Sequence, residues 1–273
     1  MTASDASSYR IGEGPFDDVS SELERLRVQA ALVWPDELRT LVRHGLREDA
    51  TLLEVGCGPG FVTSRLLDHL RRGSVTGVDL DPTMLAHARE LLGGSERVRF
   101  VEASASETGL PNASFDAVLA RFLLQHLPNV DVVLAELRRV LRPGGRMIAV
   151  DSDQAFDTLF DPEPRFYRAL MDAVEEAQRA RGGDRNIGRR LPRLLADAGF
   201  SDIAVDAVVA HSVVVGRAPV RRTIPDQALD HLEAGGFASP ELAAEARAYL
   251  ARLDAGEQHV EGMVSYLVVS GAA

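Results

Sequence analysis

A strand that runs directly into a glycine-rich turn constrains the fold of this 273-residue chain more than any other feature. Residues 52–60 read LLEVGCGPG, and apolar residues then recur at helical spacing up to Leu70. Because Gly56, Gly58 and Gly60 have no Cβ atom, the backbone can turn sharply and bring its N–H groups close to a ligand. The pattern therefore predicts a βα corner that binds a ligand.

A second strand indicates which ligand this corner binds. Residues 75–79 read VTGVD and end on Asp79, whose carboxylate can accept hydrogen bonds from both hydroxyls of a ribose. A nicotinamide dinucleotide fits this pattern poorly, because its Gly-x-Gly-x-x-Gly motif needs a glycine where this chain has Phe61. Glu54 in the first strand also suits a positively charged ligand better than a pyrophosphate.

Composition excludes several classes of partner. The 30 basic and 41 acidic residues give a net charge of −11, which disfavours nucleic acid because phosphate backbones are bound mainly by Lys and Arg. Cys57 is the single cysteine, so no intrachain disulfide can form. There is no apolar leader and no apolar run long enough to cross a bilayer. We expect a soluble, cytoplasmic protein that binds neither nucleic acid nor membrane.

Strand and helix patterns alternate from about residue 50 to residue 151. The predicted strands are 51–55, 74–79, 98–102, 115–120 and 146–151, and the predicted helices are 60–71, 82–92 and 130–141. This alternation predicts an α/β fold with a doubly wound, parallel sheet. In such sheets a ligand lies beyond the carboxyl ends of the strands, where Gly56 and Asp79 would converge.

The flanking segments have a different organisation. Residues 1–45 predict an N-terminal helical cap, with one helix from Ser20 and Ser21 to Pro35 and a second over 35–44. Residues 46–273 form the main predicted domain. Its second half contains helices at 165–181 and 189–198 and strands at 203–210 and 262–270, with a helical insertion at about 211–259.

Three motifs carry a resemblance to a known family. LEVGCGPG at 53–60 resembles the first motif of the class I S-adenosylmethionine-dependent methyltransferases. FDAVLARFLLQHLP at 115–128 and LRPGG at 141–145 are similar to the ubiquinone/menaquinone-biosynthesis-like branch, which includes many bacterial natural-product methyltransferases. The resemblance implies a seven-stranded, mostly parallel Rossmann-like sheet with an antiparallel last strand. It also implies S-adenosylmethionine as cofactor and a helical cap over the active site.

The resemblance assigns the cofactor site residue by residue. Asp79 matches the acid that holds the ribose, and Leu80 matches the apolar neighbour that packs on adenine. Ser104 stands where relatives usually have an aspartate, so a neutral hydroxyl replaces a charged acceptor for the adenine amine. The cofactor-binding residues that the resemblance implies are Glu54, Gly56, Cys57, Gly58, Gly60, Asp79, Leu80, Ser104, Ala105 and Arg121.

Methyl transfer needs alignment, exclusion of water and, for some acceptors, removal of a proton. His126 suits general base catalysis near neutral pH, and in relatives the positions of Gln125 and His126 approach the methyl group. Asp151 and Asp153, at the end of the fifth strand, complete the catalytic candidates. A structural role is the alternative for His126. Solvated loop acids are the alternative for the two aspartates, and we predict no metal site because further ligands at suitable spacing are missing.

The sequence therefore predicts transfer of a methyl group from S-adenosylmethionine to O, N or C of a small acceptor. We expect this acceptor to be apolar or aromatic, as in natural-product biosynthesis. Two alternatives stay open. One is a nicotinamide-dependent oxidoreductase, which Phe61 argues against. The other is a protein that binds S-adenosylmethionine without turnover, which Ser104 favours.

Overall fold

The computed structural model describes residues 19–215, 226–258 and 260–273. Residues 1–18 of the predicted N-terminal cap lie outside the described residues, as do residues 216–225 and 259 of the predicted insertion. The strands are β1 Thr51–Val55, β2 Ser74–Asp79, β3 Val98–Glu102, β4 Phe115–Arg121, β5 Leu141–Asp151, β6 Thr158–Asp161, β7 Ser201–His211 and β8 Glu261–Ala272.

Helices flank these strands along the chain. They are α1 Val19–Ala31, α2 Trp34–Arg43, α3 Phe61–His69, α4 Pro82–Leu92, α5 Val130–Val140, α6 Gln154–Asp157, α7 Tyr167–Ala180, α8 Leu191–Asp197, α9 Ser212–Val215, α10 Asp226–Ala234 and α11 Pro240–Asp254. Two 3₁₀ turns, Leu124–His126 and Gly188–Arg190, complete the secondary structure of the described residues. The predicted insertion contains α9, α10 and α11.

The strands form one sheet in the order β3-β2-β1-β4-β5-β8, and β7 pairs with the other edge of β8. Strands β1 to β5 are parallel, whereas β8 runs antiparallel to both β5 and β7. The predicted doubly wound, mostly parallel Rossmann-like sheet with an antiparallel last strand is confirmed. Its carboxyl edge brings together the ends of β1, β2, β3 and β4.

A short eighth strand, β6, adds to the predicted sheet. The 12-residue β8 is longer than its pairing with β5, which covers only Leu267 to Ala272 of β8. The remaining edge of β8 pairs antiparallel with β6 over Glu261 to Val264. Since an unpaired strand edge leaves backbone groups without partners, β6 covers an edge that β5 leaves open.

The core lies on both faces of the sheet, because successive strand residues point to opposite sides. Leu53 packs with Leu134 of α5 and Leu195 of α8 on one face. Leu52 packs on the other face with α3 and with Leu41 of α2. Helix α2, from the predicted N-terminal cap, therefore shares its core with the sheet.

Helices α10 and α11 of the insertion pack on α7, whereas α9 lies against β7 and β8. Leu170 of α7, Leu229 of α10 and Leu250 of α11 belong to one buried cluster. Ser239 begins α11 as an N-cap, with its hydroxyl accepting from the N–H of Leu242 at 3.2 Å. Helix α7, which this cluster holds in place, contacts the segment after β4 at the carboxyl edge of the sheet.

Candidate active site

The glycine-rich turn after β1 leaves open space beside its backbone. Gly56, Gly58 and Gly60 have φ angles of +71°, +52° and +80°, in the left-handed region that favours glycine. A Cβ atom on Gly58 would meet nothing within 4 Å, whereas one on Gly56 would meet the Leu123 side chain at 3.0 Å. Because no side chain stands in the way, a ligand can approach the backbone at Gly58 closely.

The N–H groups of this turn are used within the protein, which corrects the expectation that they face a ligand. Gly56 and Cys57 both donate to the carbonyl of Val78, at 2.8 and 3.1 Å. Gly58 donates to Oδ2 of Asp79 at 2.7 Å. These bonds hold the turn against the end of β2. The glycines of the turn allow the chain to bend sharply and leave space beside the backbone.

Asp79 links the turn to the segment that follows β2. Its Oδ1 accepts from the N–H of Asp81 at 2.9 Å while Oδ2 accepts from Gly58. Burial raises the pKa of this carboxyl, although both backbone N–H groups oppose that effect. Each carboxylate oxygen has two acceptor sites, so Asp79 keeps the capacity to accept from ribose hydroxyls.

Glu54 is a buried acid directly below the turn. Its side chain is 2 % exposed, and Oε2 accepts from the hydroxyl of Thr63 at 2.6 Å. Burial raises the pKa of Glu54 to about 8, which exceeds the opposing effect of the Thr63 hydroxyl. A cation bound nearby would favour the charged carboxylate. Glu54 and Asp79 together fit the ammonium and ribose groups of S-adenosylmethionine.

The raised pKa of Glu54 predicts a pH dependence of stability. The folded protein holds this proton up to about pH 8, whereas the unfolded chain releases it near 4.5. Unfolding is therefore easier as pH rises through that window. Between pH 5 and pH 8 the free energy of unfolding should therefore fall in the wild type. We expect Glu54→Gln to reduce this fall by on the order of 2 to 4 kcal/mol. Urea unfolding at pH 5 and pH 8 measures the effect, and an equal loss in both proteins would contradict it.

Cys57 and Leu80 have opposite environments. A Cβ atom on Gly77 of β2 would meet Sγ of Cys57 at 2.9 Å, so the thiol packs on the sheet. Burial raises the pKa of this thiol, which leaves Cys57 an inert core residue. Leu80 is 48 % exposed at the carboxyl edge. An exposed leucine beside Asp79 offers the apolar surface that an adenine ring requires.

The segment after β3 begins beside Asp79, because the N–H of Ala103 donates to the Asp79 carbonyl at 3.1 Å. The hydroxyl of Ser104 lies 2.8 Å from that of Ser106 and also accepts from the Ser106 N–H. Ser104 and Ala105 are both half-buried. The structure therefore places the segment next to the predicted ribose acid, with a hydroxyl pair in place of a carboxylate.

Arg121, at the end of β4, forms a buried ion pair with α2. Its Nε and Nη2 donate to the two carboxylate oxygens of Glu37 at 2.6 and 2.9 Å. Burial opposes the charge of Arg121, but Glu37 outweighs burial and raises the pKa of the guanidinium. The structure thus shows a contact for Arg121 within the protein, and its predicted contact with the cofactor stays a prediction.

The exit loop, residues 122–128 after β4, carries Gln125 and His126. Asp151 is fully buried beneath it, and its Oδ2 accepts from the N–H of Gln125 at 3.2 Å. Burial raises the pKa of Asp151 to about 7, and the backbone N–H groups of Gln125 and Ser152 partly oppose this. Asp153 is also buried and accepts from N–H and Nε of Arg189, at 3.0 and 2.5 Å. The alternative of solvated loop acids is therefore wrong for both aspartates.

His126 lies among positive charges. Burial lowers its pKa to about 3, and the guanidinium groups of Arg185, Arg25 and Arg181 act in the same direction. The imidazole is therefore neutral at pH 7, because its pKa lies far below the unperturbed histidine value of about 6.5. A neutral imidazole with such a low pKa can accept a hydrogen bond but is a weak base.

Residues far away in the sequence hold the exit loop in place. The carbonyl of Gln125 accepts from Nε2 of Gln178, at the end of α7, and from the N–H of Asp184, both at 2.8 Å. The side chain of Gln125 makes no hydrogen bond with any residue that the structure describes. No local motif in α7 signals this anchoring, so sequence patterns do not reveal it.

No group of three or more His, Cys, Asp or Glu side chains is arranged to hold a metal ion among residues 19–215, 226–258 and 260–273. In the same ranges, no helix is both long and apolar enough to cross a membrane.

Known proteins match the part of the chain that carries the three sequence motifs. A family model described as a methyltransferase domain matches residues 53–149. The demethylmenaquinone methyltransferase of Staphylococcus aureus is 28% identical over 206 residues, covering 70% of this chain and 85% of that protein.

Solved structures share the fold. A SAM-dependent methyltransferase from Aquifex aeolicus has a TM-score of 0.51 at 23% identity and covers 68% of this chain and 89% of its own. Phosphoethanolamine N-methyltransferase 2 of Haemonchus contortus, in complex with phosphomonomethylethanolamine and S-adenosylhomocysteine, has a TM-score of 0.54 at 19% identity. It covers 88% of this chain and 52% of its own.

The glycine turn after β1, the sheet order and these matches agree with the three sequence motifs. They favour a methyltransferase over a nicotinamide-dependent oxidoreductase, for which the glycine turn has the wrong spacing. Its methyltransferase domain at residues 53–149 makes the chain an S-adenosylmethionine-dependent methyltransferase, similar to the ubiquinone/menaquinone-like branch.

Proposed function

We propose that this methyltransferase acts on O, N or C of a small apolar or aromatic molecule bound between the glycine turn and the exit loop. The observation that carries the proposal is the contact between these two segments: Leu123 of the exit loop packs against Gly56. Gln125 and His126 follow directly in the 3₁₀ turn. An acceptor bound at this turn would lie close to a cofactor bound at Gly58.

Each side chain has a proposed task in this arrangement. The bound cofactor supplies a methyl group that is already activated on a sulfonium. Asp79 accepts from the ribose hydroxyls, Glu54 faces the ammonium, and Leu80 covers one side of the adenine. Neutral His126 accepts a hydrogen bond from the methyl acceptor, and Gln125 orients it with its amide. Alignment and exclusion of water then supply most of the rate enhancement.

Removal of the proposed ribose acceptor gives a direct prediction. A hydrogen bond to a charged group contributes about 1.5 to 3 kcal/mol, so we expect Asp79→Ala to weaken S-adenosylmethionine binding roughly 10- to 100-fold. Isothermal titration measures the affinity. Asp81→Ala serves as the matched control, because Asp81 caps α4 through the N–H of Thr83 at 2.7 Å. Equal losses in both variants would assign Asp79 to the fold instead.

The charges around His126 favour one class of acceptor. The three guanidinium groups that lower the pKa of His126 would also disfavour a cationic acceptor, such as a protonated amine. They would favour the deprotonated, negatively charged oxygen of a hydroxylated acceptor, which attacks the methyl carbon as the bond from that carbon to sulfur breaks. The name of the Staphylococcus aureus relative, demethylmenaquinone methyltransferase, points to a ring-containing acceptor as well. We therefore favour a hydroxylated aromatic ring over an amine.

Release of S-adenosylhomocysteine with matched acceptors tests this function. A dihydroxynaphthalene and a primary amine with an aromatic ring of similar size would be compared at pH 7.5. We expect acceptor-dependent release with the hydroxylated ring and little with the amine. Release with the amine alone would contradict the acceptor class. Binding of S-adenosylmethionine without release in a wide acceptor panel would favour the non-catalytic alternative.

A further inference from the structure

A buried polar cluster, which we call the Glu37 network, joins three distant parts of the chain. It consists of Glu37 in α2, Arg121 at the end of β4, and Tyr266 in β8. Besides its two bonds to Arg121, Glu37 accepts at Oε2 from the hydroxyl of Tyr266 at 2.6 Å. The Glu37 side chain is 1% exposed and that of Arg121 is 8% exposed. Such burial makes the loss of either charge costly.

The residue that follows the network has an unusual backbone conformation. Phe122 has φ of +50°, in the left-handed region that a large side chain rarely adopts. Its ring packs edge-on against Tyr266 with centroids 5.1 Å apart, and the Arg121 guanidinium lies 4.6 Å from the ring centre. Its N–H donates to the Val150 carbonyl at 2.7 Å. Strained backbone of this kind persists only where the surroundings hold it.

This conformation decides where the exit loop goes. Leu123, the next residue, packs against Gly56 of the cofactor turn, and the 3₁₀ turn with Gln125 and His126 begins one residue later. A change in the backbone at Phe122 would therefore displace both the cover over Gly56 and the two proposed acceptor contacts. Glu37 does not belong to any of these segments. Its influence on them passes through Arg121.

We propose that Glu37 is a positioning residue for methyl transfer: through Arg121 and Tyr266 it holds Phe122 in its left-handed conformation and thereby sets the exit loop over the cofactor turn. The proposal rests on the proposed function for the role of the exit loop. Helix α2 of the predicted N-terminal cap then controls the geometry of the site without contacting either substrate.

Amide hydrogen exchange and cofactor binding test this role without knowledge of the acceptor. We expect Glu37→Gln to raise exchange of residues 122–127 roughly 10-fold or more, while amides of β1 to β3 exchange as in the wild type. S-adenosylmethionine should bind about 10-fold more weakly. Tyr266→Phe removes one of the bonds to Glu37 and leaves no buried charge unpaired. It should produce smaller changes in the same residues.

Asp206→Asn provides the matched control. Asp206 of β7 accepts from Nη2 of Arg43 at 3.0 Å and lies 3.1 Å from Nε2 of His44, so it anchors the other end of α2 away from the exit loop. We expect wild-type exchange in residues 122–127 and wild-type cofactor affinity. Equal loosening in the Asp206 and Glu37 variants, or exchange that rises evenly over the whole sheet, would overturn the proposal. Failure of the wild type to release S-adenosylhomocysteine with any acceptor would instead contradict the proposed function.

Discussion

Gly58→Val should abolish detectable binding of S-adenosylmethionine while the protein stays folded. Gly58 has φ of +52°, where a β-branched residue is strained, at a cost on the order of 1 to 3 kcal/mol. Space does not limit the fold, because nothing lies within 4 Å of the added Cβ. The valine side chain would instead occupy the space through which the cofactor approaches. We expect a loss of more than about 100-fold in affinity, measured by isothermal titration.

Gly144→Val separates backbone strain from the loss of the binding space. Gly144 has φ of +76° and, like Gly58, open space around the position of a Cβ. It lies between the Leu141 and Arg146 pairings of β5 with β4, where the register shifts, at the edge of the sheet opposite the carboxyl ends. The control should lose stability to a similar extent and bind the cofactor normally. Normal binding by Gly58→Val would show that the turn is an ordinary loop.

His126→Ala should lower turnover by roughly 100-fold, the effect of a misplaced acceptor, with cofactor affinity nearly unchanged. Because the pKa of His126 is about 3, its imidazole stays neutral from pH 5 to pH 9. The rate should therefore not fall as pH drops through 6.5 on account of this residue. Steady-state release of S-adenosylhomocysteine over that pH range measures both effects.

The raised pKa of Asp151 predicts an acidic limb in the pH profile, that is, a fall in rate at low pH. Its pKa is about 7, and its charged form accepts from the N–H of Gln125. Protonation below pH 7 weakens that bond, so we expect the rate to fall there in the wild type and in His126→Ala. Asp151→Asn should remove the limb. Gln125→Ala should lower the rate without moving it, because an amide does not titrate near neutral pH.

One outcome would restore a general base. An acidic limb that lies near pH 6.5 and disappears in His126→Ala would mean that the bound acceptor raises the pKa of the imidazole. In that case, His126 would remove a proton from the acceptor. Its assignment as a neutral hydrogen-bond acceptor would then be wrong.

Local patterns predict most of the sheet. Residues 51–55, 74–79 and 98–102 are predicted as strands and have those bounds, and α4 has the predicted bounds 82–92, with Asp81 as its N-cap. These elements depend on alternation, capping and glycine turns, which adjacent residues determine. No local pattern predicts β6, because only the uncovered edge of β8 makes its four residues a strand.

The site shows the same division between local and distant causes. The motif places Gly58, Asp79 and Leu80 together at the carboxyl edge, where the structure has them. The ion pair of Arg121 with Glu37 joins residues that local spacing cannot relate. The burial of Asp151 and the low pKa of His126 likewise come from elements that pack on the exit loop, including α7. Sequence patterns predict which residues lie at the carboxyl edge of the sheet better than they predict protonation.

Isothermal titration of the full chain with S-adenosylmethionine and, separately, with a nicotinamide dinucleotide distinguishes the two cofactors that a glycine turn of this kind could bind. We expect one S-adenosylmethionine per chain with a dissociation constant in the range of roughly 1 to 100 μM, and no heat from the dinucleotide. Binding of the dinucleotide at the Gly58 turn, with no binding of S-adenosylmethionine, would contradict the assignment of this chain as a methyltransferase.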